Sequence, residues 1–209
     1  VSRSVVITRL RDIVPIRPLH RQEALQIAER QATLLLDLLG ITDPPVNLQP
    51  ILDLPRINVR FIRPFPVSGA THWTQGQWSI VLNAAEPSTR QRFSLVHEFK
   101  HILDHRFIHI IYSGEKDKRE RHRWTEQVCD YFAGCVLIPR PALKRAWTSG
   151  IQDLDQLALH FDVSQAAIRT RLGQTGLSNA GRIAGPARHR PVSGSYFRLR
   201  RSGRTAHAH

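Results

Sequence analysis

The stretch RFSLVHEFKHILDHRF, residues 92–107, sets His97, Glu98 and His101 in the spacing H-E-x-x-H. Phe93, Val96, Phe99 and Leu103 recur through it at helical spacing, so the segment reads as an amphipathic helix with one face toward a core. On such a helix, residues four apart lie one turn above each other on the same face. Two imidazoles so placed can chelate one metal ion, with Glu98 beside them. A carboxylate there can take a proton from water acidified by the ion and pass it on. A tetrahedral catalytic zinc site still needs a third protein ligand.

His105 continues the i, i+4 series, but eight residues of helix put it about 12 Å from His97, too far to share an ion. A third histidine six residues after His101, the metzincin arrangement, would fall at Phe107. The downstream acids are Glu115, Glu120, Glu126 and Asp130. The first two lie in SGEKDKRERHR, residues 113–123, which reads as a charged surface loop poorly suited to hold a rigid ligand. In RWTEQVCDYFAGCVLIP, residues 123–139, Trp124, Val128, Phe132 and Cys135 form an apolar stripe at helical spacing. Glu126, Asp130 and Ala133 form a second stripe, small and acidic. A helix over about residues 123–137 can therefore lay a carboxylate against the histidine helix. Asp130 could then accept the free N–H of a ligand imidazole, while Ala133 lets the two helices approach. The plainer alternative has both acids facing solvent.

The surrounding sequence supplies a frame for these helices. Residues 1–20 are basic and broken by Pro15 and Pro18, and read as an irregular arm. QEALQIAERQATLLLDLL, residues 22–39, places Leu25, Ala28, Ala32, Leu35, Leu36 and Leu39 on one helical face, ended by Gly40. NLQPILDL, residues 47–54, reads as a short helical turn. INVRFI, residues 57–62, alternates as a strand does. ATHWT and QWSIVLN, joined at Gln75-Gly76, read as a β-hairpin. A helix beginning at Ser88 or Thr89 and running to about His105 then carries the histidines. If exposed at the sheet edge, QWSIVLN could align an extended peptide by strand addition. The expected class is α+β: a small mixed or antiparallel sheet, the H-E-x-x-H helix packed on a second ligand-bearing helix, and a C-terminal helical pair.

With 209 residues, 41% of them hydrophobic, the chain can bury a real core. Its net charge of +13 favours acidic or nucleic-acid partners. Seven arginines and no acid fall in residues 178–209, which read as a disordered basic tail able to touch phosphates without reading sequence. The two cysteines, Cys129 and Cys135, point to different sides of one predicted helix, which disfavours a disulfide between them and suits a reducing, cytoplasmic compartment. No apolar run is long enough to span a bilayer, and no signal peptide is legible. The sequence holds no methionine, even at position 1, which suggests a non-standard start or a trimmed beginning.

Residues 153–177, DLDQLALHFDVSQAAIRTRLGQTGL, read as a helix-turn-helix. Leu154, Leu157, Ala158 and Phe161 face inward on the first helix, and Ser164 caps the second. Gln165, Arg169 and Thr170 would face outward where such units contact bases. Against this, the same helical pair is often just the lid of a helical core. The chain divides accordingly into an arm (1–20), a metal-site domain (21–145), this helical unit (146–177) and the tail (178–209).

FSLVHEFKH followed by EQVCDYFAGCVLIP resembles the ImmA/IrrE family of bacterial zinc peptidases. The likeness extends to Ile80-Val81-Leu82-Asn83, Arg90 or Arg92, and Phe93-Ser94, and covers about residues 22–175. It implies one Zn²⁺ per chain bound by His97, His101 and Glu126, with Glu98 as general base. It further implies a protein substrate, typically a helix-turn-helix repressor whose cleavage relieves repression under stress or during mobile-element induction. Two positions depart from the pattern: Lys100 replaces a small residue, and Cys129 replaces alanine. His105, His122 and Tyr131 are candidate donors to a transition state. The alternative is a non-catalytic, DNA-associated regulator with a structural or vestigial zinc site.

Overall fold

Gln75 and Gly76 both adopt positive φ, +48° and +78°, as a two-residue turn matched to strand twist demands. They join β2 (Gly69–Thr74) to β3 (Gln77–Asn83) as an antiparallel hairpin, with Trp73 opposite Trp78. β1 (Ile57–Ile62) pairs parallel to the other side of β3, Ile57 opposite Trp78 and Ile62 opposite Asn83. The order β1-β3-β2 makes β3 the central strand. Trp78 through Leu82 are buried without interruption, as befits a strand covered on both sides. QWSIVLN is therefore not a sheet edge. The edge beside the histidine helix belongs to β2.

The structure, a computed structural model, describes residues 3–177; the basic tail lies outside the described residues. A 3₁₀ turn, Arg3–Val5, leads into α1 (Val6–Asp12). Within the stretch read as irregular, residues 3–12 are therefore helical, whereas residues 13–20 hold no helix or strand. Val6 and Leu10 are one turn apart and fully buried, and the Leu10 carbonyl accepts from the Gln31 amide at 2.8 Å. The Arg11 guanidinium donates to the carbonyls of Ile102 and Leu103, at 2.6 and 3.2 Å. It thereby satisfies open acceptors at the end of the histidine helix.

α2 (Arg21–Leu39) ends at Gly40 in the left-handed conformation, and α3 (Gln49–Leu52) is a single turn. α4 (Ser88–Asp104) carries the H-E-x-x-H residues. Its N-cap is Pro87, so Ser88 is already inside the helix. After the single turn α5 (Ile108–Ile111), α6 (Lys118–Leu137) starts about five residues earlier than the apolar stripe alone suggests. The cause is Asp117, whose side chain accepts from the Arg119 and Glu120 N–H groups, so that part of the expected charged loop is helix. α6 packs between α2 and α4, and α4 in turn lies against β2 and β3.

α7 (Arg140–Thr148) precedes the C-terminal pair α8 (Leu154–Phe161) and α9 (Gln165–Thr175), capped by Asp153 and Ser164. Arg171, on the inner side of α9, is 1% exposed. It donates to the Ile138 carbonyl at 3.1 Å and to Glu29 at 3.2 Å. The Tyr131 hydroxyl donates to the other Glu29 oxygen at 2.9 Å, so this one carboxylate ties α9 to α2 and α6. Among the described residues, no helix is long and apolar enough to cross a membrane.

Candidate metal centre

The i, i+4 spacing on α4 brings the Nε2 atoms of His97 and His101 to 3.1 Å from each other. Glu126 reaches both from α6, with one carboxylate oxygen 3.3 Å from His97 Nε2 and the other 3.4 Å from His101 Nε2. A tetrahedral zinc with bonds of about 2.05 Å has ligand atoms about 3.3 Å apart. Two imidazoles and a carboxylate that approaches each of them through one oxygen could hold such an ion. His97, His101 and Cys129 form another donor group, with atoms within 4.8 Å of one another. That set is looser, and Cys129 Sγ lies 3.6 Å from His101 Nδ1, the nitrogen on the other side of the ring. The Glu126 set is the better fit.

Asp130 accepts from His97 Nδ1 at 2.8 Å. Burial alone would lower the His97 pKa, but the hydrogen bonds to Asp130 and Glu126, with the nearby charges of Asp130 and Glu98, raise it to about 10. Burial would raise the Glu126 pKa, yet its contacts with the His101 and His97 imidazoles hold the carboxyl well below the usual carboxylate range. Burial pushes the Cys129 thiol well up.

Glu98, 8% exposed, borders this cluster on the β2 side. A methyl group on Gly69 would come within 3.0 Å of Glu98 Cγ and 3.2 Å of its Oε1. The Thr71 hydroxyl approaches the Glu98 carbonyl at 3.4 Å. The bare backbone at Gly69 thus allows the Glu98 side chain its position. Gly69→Ala is expected to leave the fold intact and to lower kcat by roughly tenfold to a hundredfold through displacement of Glu98. Circular dichroism and turnover of a protein substrate check this.

Of the three candidate donors, only His122 joins the cluster, its Nδ1 3.7 Å from Glu126 Oε1. The His105 ring packs edge-on to Trp78, 4.7 Å between centroids, at the far end of α4. The Tyr131 hydroxyl is committed to Glu29. Glu115 and Glu120 pair instead with Arg21, and Glu120 also with Arg123. Lys100 points away from the histidine pair into the core, where it is 2% exposed. Its Nζ donates to Asp104 at 2.5 Å and Gln31 at 2.8 Å, and the Tyr112 hydroxyl donates to Asp104 at 2.6 Å. Gln165, Arg169 and Thr170 are exposed on α9; Gln165 also meets Asp155, and Arg169 reaches Gln165 at 3.3 Å. The sequence reading gave Gly69 no role and, at the site, noted Cys129 only as a departure from the family pattern. For Cys129 the signal was present, three residues beyond Glu126 on the same helix.

An H-E-x-x-H helix whose imidazoles meet a glutamate of the neighbouring helix here stands on the small mixed sheet of an α+β protein. The chain belongs to the Peptidase M78 family, whose IrrE N-terminal-like domain matches residues 56–173. Among solved structures it is similar to a Mycobacterium tuberculosis transcriptional regulator, with a TM-score of 0.57 and 16% sequence identity. The similarity covers 80% of this chain and 51% of that one, so the chain spans about half the regulator's length. Identity that low speaks for the fold alone. No curated protein matches the chain.

Proposed function

We propose that the chain is a zinc-dependent endopeptidase that cuts a helix-turn-helix transcriptional repressor and so relieves repression. The observation that carries this reading is the convergence of His97, His101 and Glu126 within 3.4 Å, with Glu98 alongside. Zinc held by these side chains would supply Lewis acidity, polarising the scissile carbonyl and acidifying water. Glu98 takes the proton of the attacking water and delivers it to the departing amine. His122 offers an N–H toward developing negative charge. An extended substrate adds along the outer edge of β2, an edge strand among the described residues, not along β3, and its backbone runs past Gly69 and Glu98. Family membership supports the peptidase, and the regulator among its structural likenesses is in keeping with a regulatory setting. The two free, buried cysteines suit a reducing, cytoplasmic compartment. The exposed face of α9, with Gln165, Arg169 and Thr170, offers a contact surface for DNA, secondary to the peptidase role.

The test is zinc per chain in the wild type and Glu126→Ala, at matched circular dichroism, followed by co-expression with helix-turn-helix repressors. About one zinc in the wild type, markedly less in the variant, and one defined cut made only by the wild type are expected. A folded Glu126→Ala that keeps its zinc would remove Glu126 from the site. A wild type that holds zinc and cuts none of the repressors, yet binds DNA selectively, would favour the non-catalytic regulator.

The raised His97 pKa adds a pH dependence. Protonated His97 stabilises the metal-free protein fully below its ordinary value of 6.5, and that contribution is lost as pH rises toward about 10. Zinc needs the neutral imidazole, so it displaces this proton, and binding strengthens as pH rises. The gap in Tm between zinc-loaded and chelator-treated protein is therefore expected to widen from about pH 6.5 to about pH 8.5. Differential scanning fluorimetry reads it directly; a gap independent of pH would show that His97 carries no proton to displace.

A further inference from the structure

Each histidine of the centre has a second nitrogen, and α6 meets both. His97 Nδ1 faces Asp130 at 2.8 Å, and His101 Nδ1 faces Cys129 Sγ at 3.6 Å. Glu126, Cys129 and Asp130 stand at i, i+3 and i+4, so one stretch of α6 presents a carboxylate to the paired Nε2 atoms and one acceptor to each Nδ1. An imidazole that donates from Nδ1 keeps its Nε2 lone pair free, which is the tautomer a metal requires. The two acceptors are unlike. The Asp130 side chain is 60% exposed and charged, whereas Cys129 is completely buried.

We infer that Cys129 is a positioning residue for the metal centre: its sulfur accepts the His101 Nδ1–H, holding that ring in the tautomer and orientation that turn Nε2 toward His97 and Glu126. The inference rests on the metal-site reading above. A sulfur acceptor at 3.6 Å is within the range of such bonds, and Cys129 has no exposed surface. His97 is oriented from the solvent side by Asp130, and His101 from the core by Cys129. Sulfur is a weaker acceptor than a carboxylate, so His101 is the less strongly polarised of the two rings.

The experiment uses the full chain and compares Cys129→Ala, Cys129→Ser and, as a control, Cys135→Ala, which removes the other buried cysteine. Zn²⁺ and Co²⁺ affinities are measured by competition with a chelator, at matched circular dichroism and melting temperature. Cys129→Ala is expected to weaken both metals by about tenfold to a hundredfold and to shift the visible cobalt bands. Cys129→Ser, which restores an acceptor, should return most of that loss, and Cys135→Ala should change neither. The wild-type cobalt protein should lack the strong near-ultraviolet absorption of a thiolate bound to cobalt.

Unchanged affinity and spectrum in Cys129→Ala would overturn the inference and leave Cys129 as core filling. Thiolate-to-cobalt absorption in the wild type would overturn it in the other direction, making Cys129 itself a ligand. A wild type that binds neither metal would overturn the metal-site reading, and this inference with it. That outcome is distinct from a metal site indifferent to Cys129.

Discussion

Glu98→Gln is expected to abolish measurable cleavage while leaving zinc content and melting temperature close to those of the wild type. Glutamine keeps the volume and one oxygen of the side chain beside Gly69, so the packing that seats Glu98 survives. It cannot take a proton from water, and general-base catalysis of this kind accounts for about 10²–10⁴ in rate. The proposed metal donors His97, His101 and Glu126 are untouched, which separates loss of chemistry from loss of the site. Single-turnover cleavage of a co-purified repressor measures the effect. A Glu98→Gln protein that cuts at more than about a tenth of the wild-type rate would exclude Glu98 as the base.

Lys100→Met is expected to be the most destabilising change that leaves every proposed site residue in place. Its ammonium and the Asp104 carboxylate are both almost wholly buried, at 2% and 1% exposure. Removing the cation leaves an uncompensated buried carboxylate, at a cost of about 3–5 kcal/mol. The double variant Lys100→Met/Asp104→Asn should recover part of this, because a neutral amide can still accept from Tyr112 and carries no charge. Urea unfolding of the two variants and the wild type gives the comparison. A single-variant loss below about 1 kcal/mol would mean that Asp104 finds solvent or another partner.

The elements legible in the sequence were those whose signals are local. The apolar spacing around His97, the Gly40 stop and the Gln75-Gly76 turn each depend on residues a few positions apart. The two stripes on α6 likewise marked Glu126 and Asp130 as facing one side. What escaped notice is long-range. The parallel pairing of β1 with β3 joins strands separated by the whole of β2, and it turns an apparent edge into the sheet's centre. The unbroken apolar run from Ile80 to Leu82 hinted at burial on both faces. In α1, arginines and flanking prolines masked the single pair Val6 and Leu10, whose burial depends on α2 and α4 being in place. Lys100 has no readable fate until Asp104, Gln31 and Tyr112 are assembled around it.

The bond from Arg171 to Glu29 spans 142 positions of the sequence and bears on how short a working version of this protein can be. The matched family domain begins at residue 56, yet Glu29 lies before that boundary. A chain trimmed to begin there would leave a buried guanidinium facing the space vacated by α2. One ending after α7 would strip Glu29 of its guanidinium and the Ile138 carbonyl of its donor. A version of the chain that keeps this tie whole reaches at least from α2 through α9, further toward the N-terminus than the matched family domain.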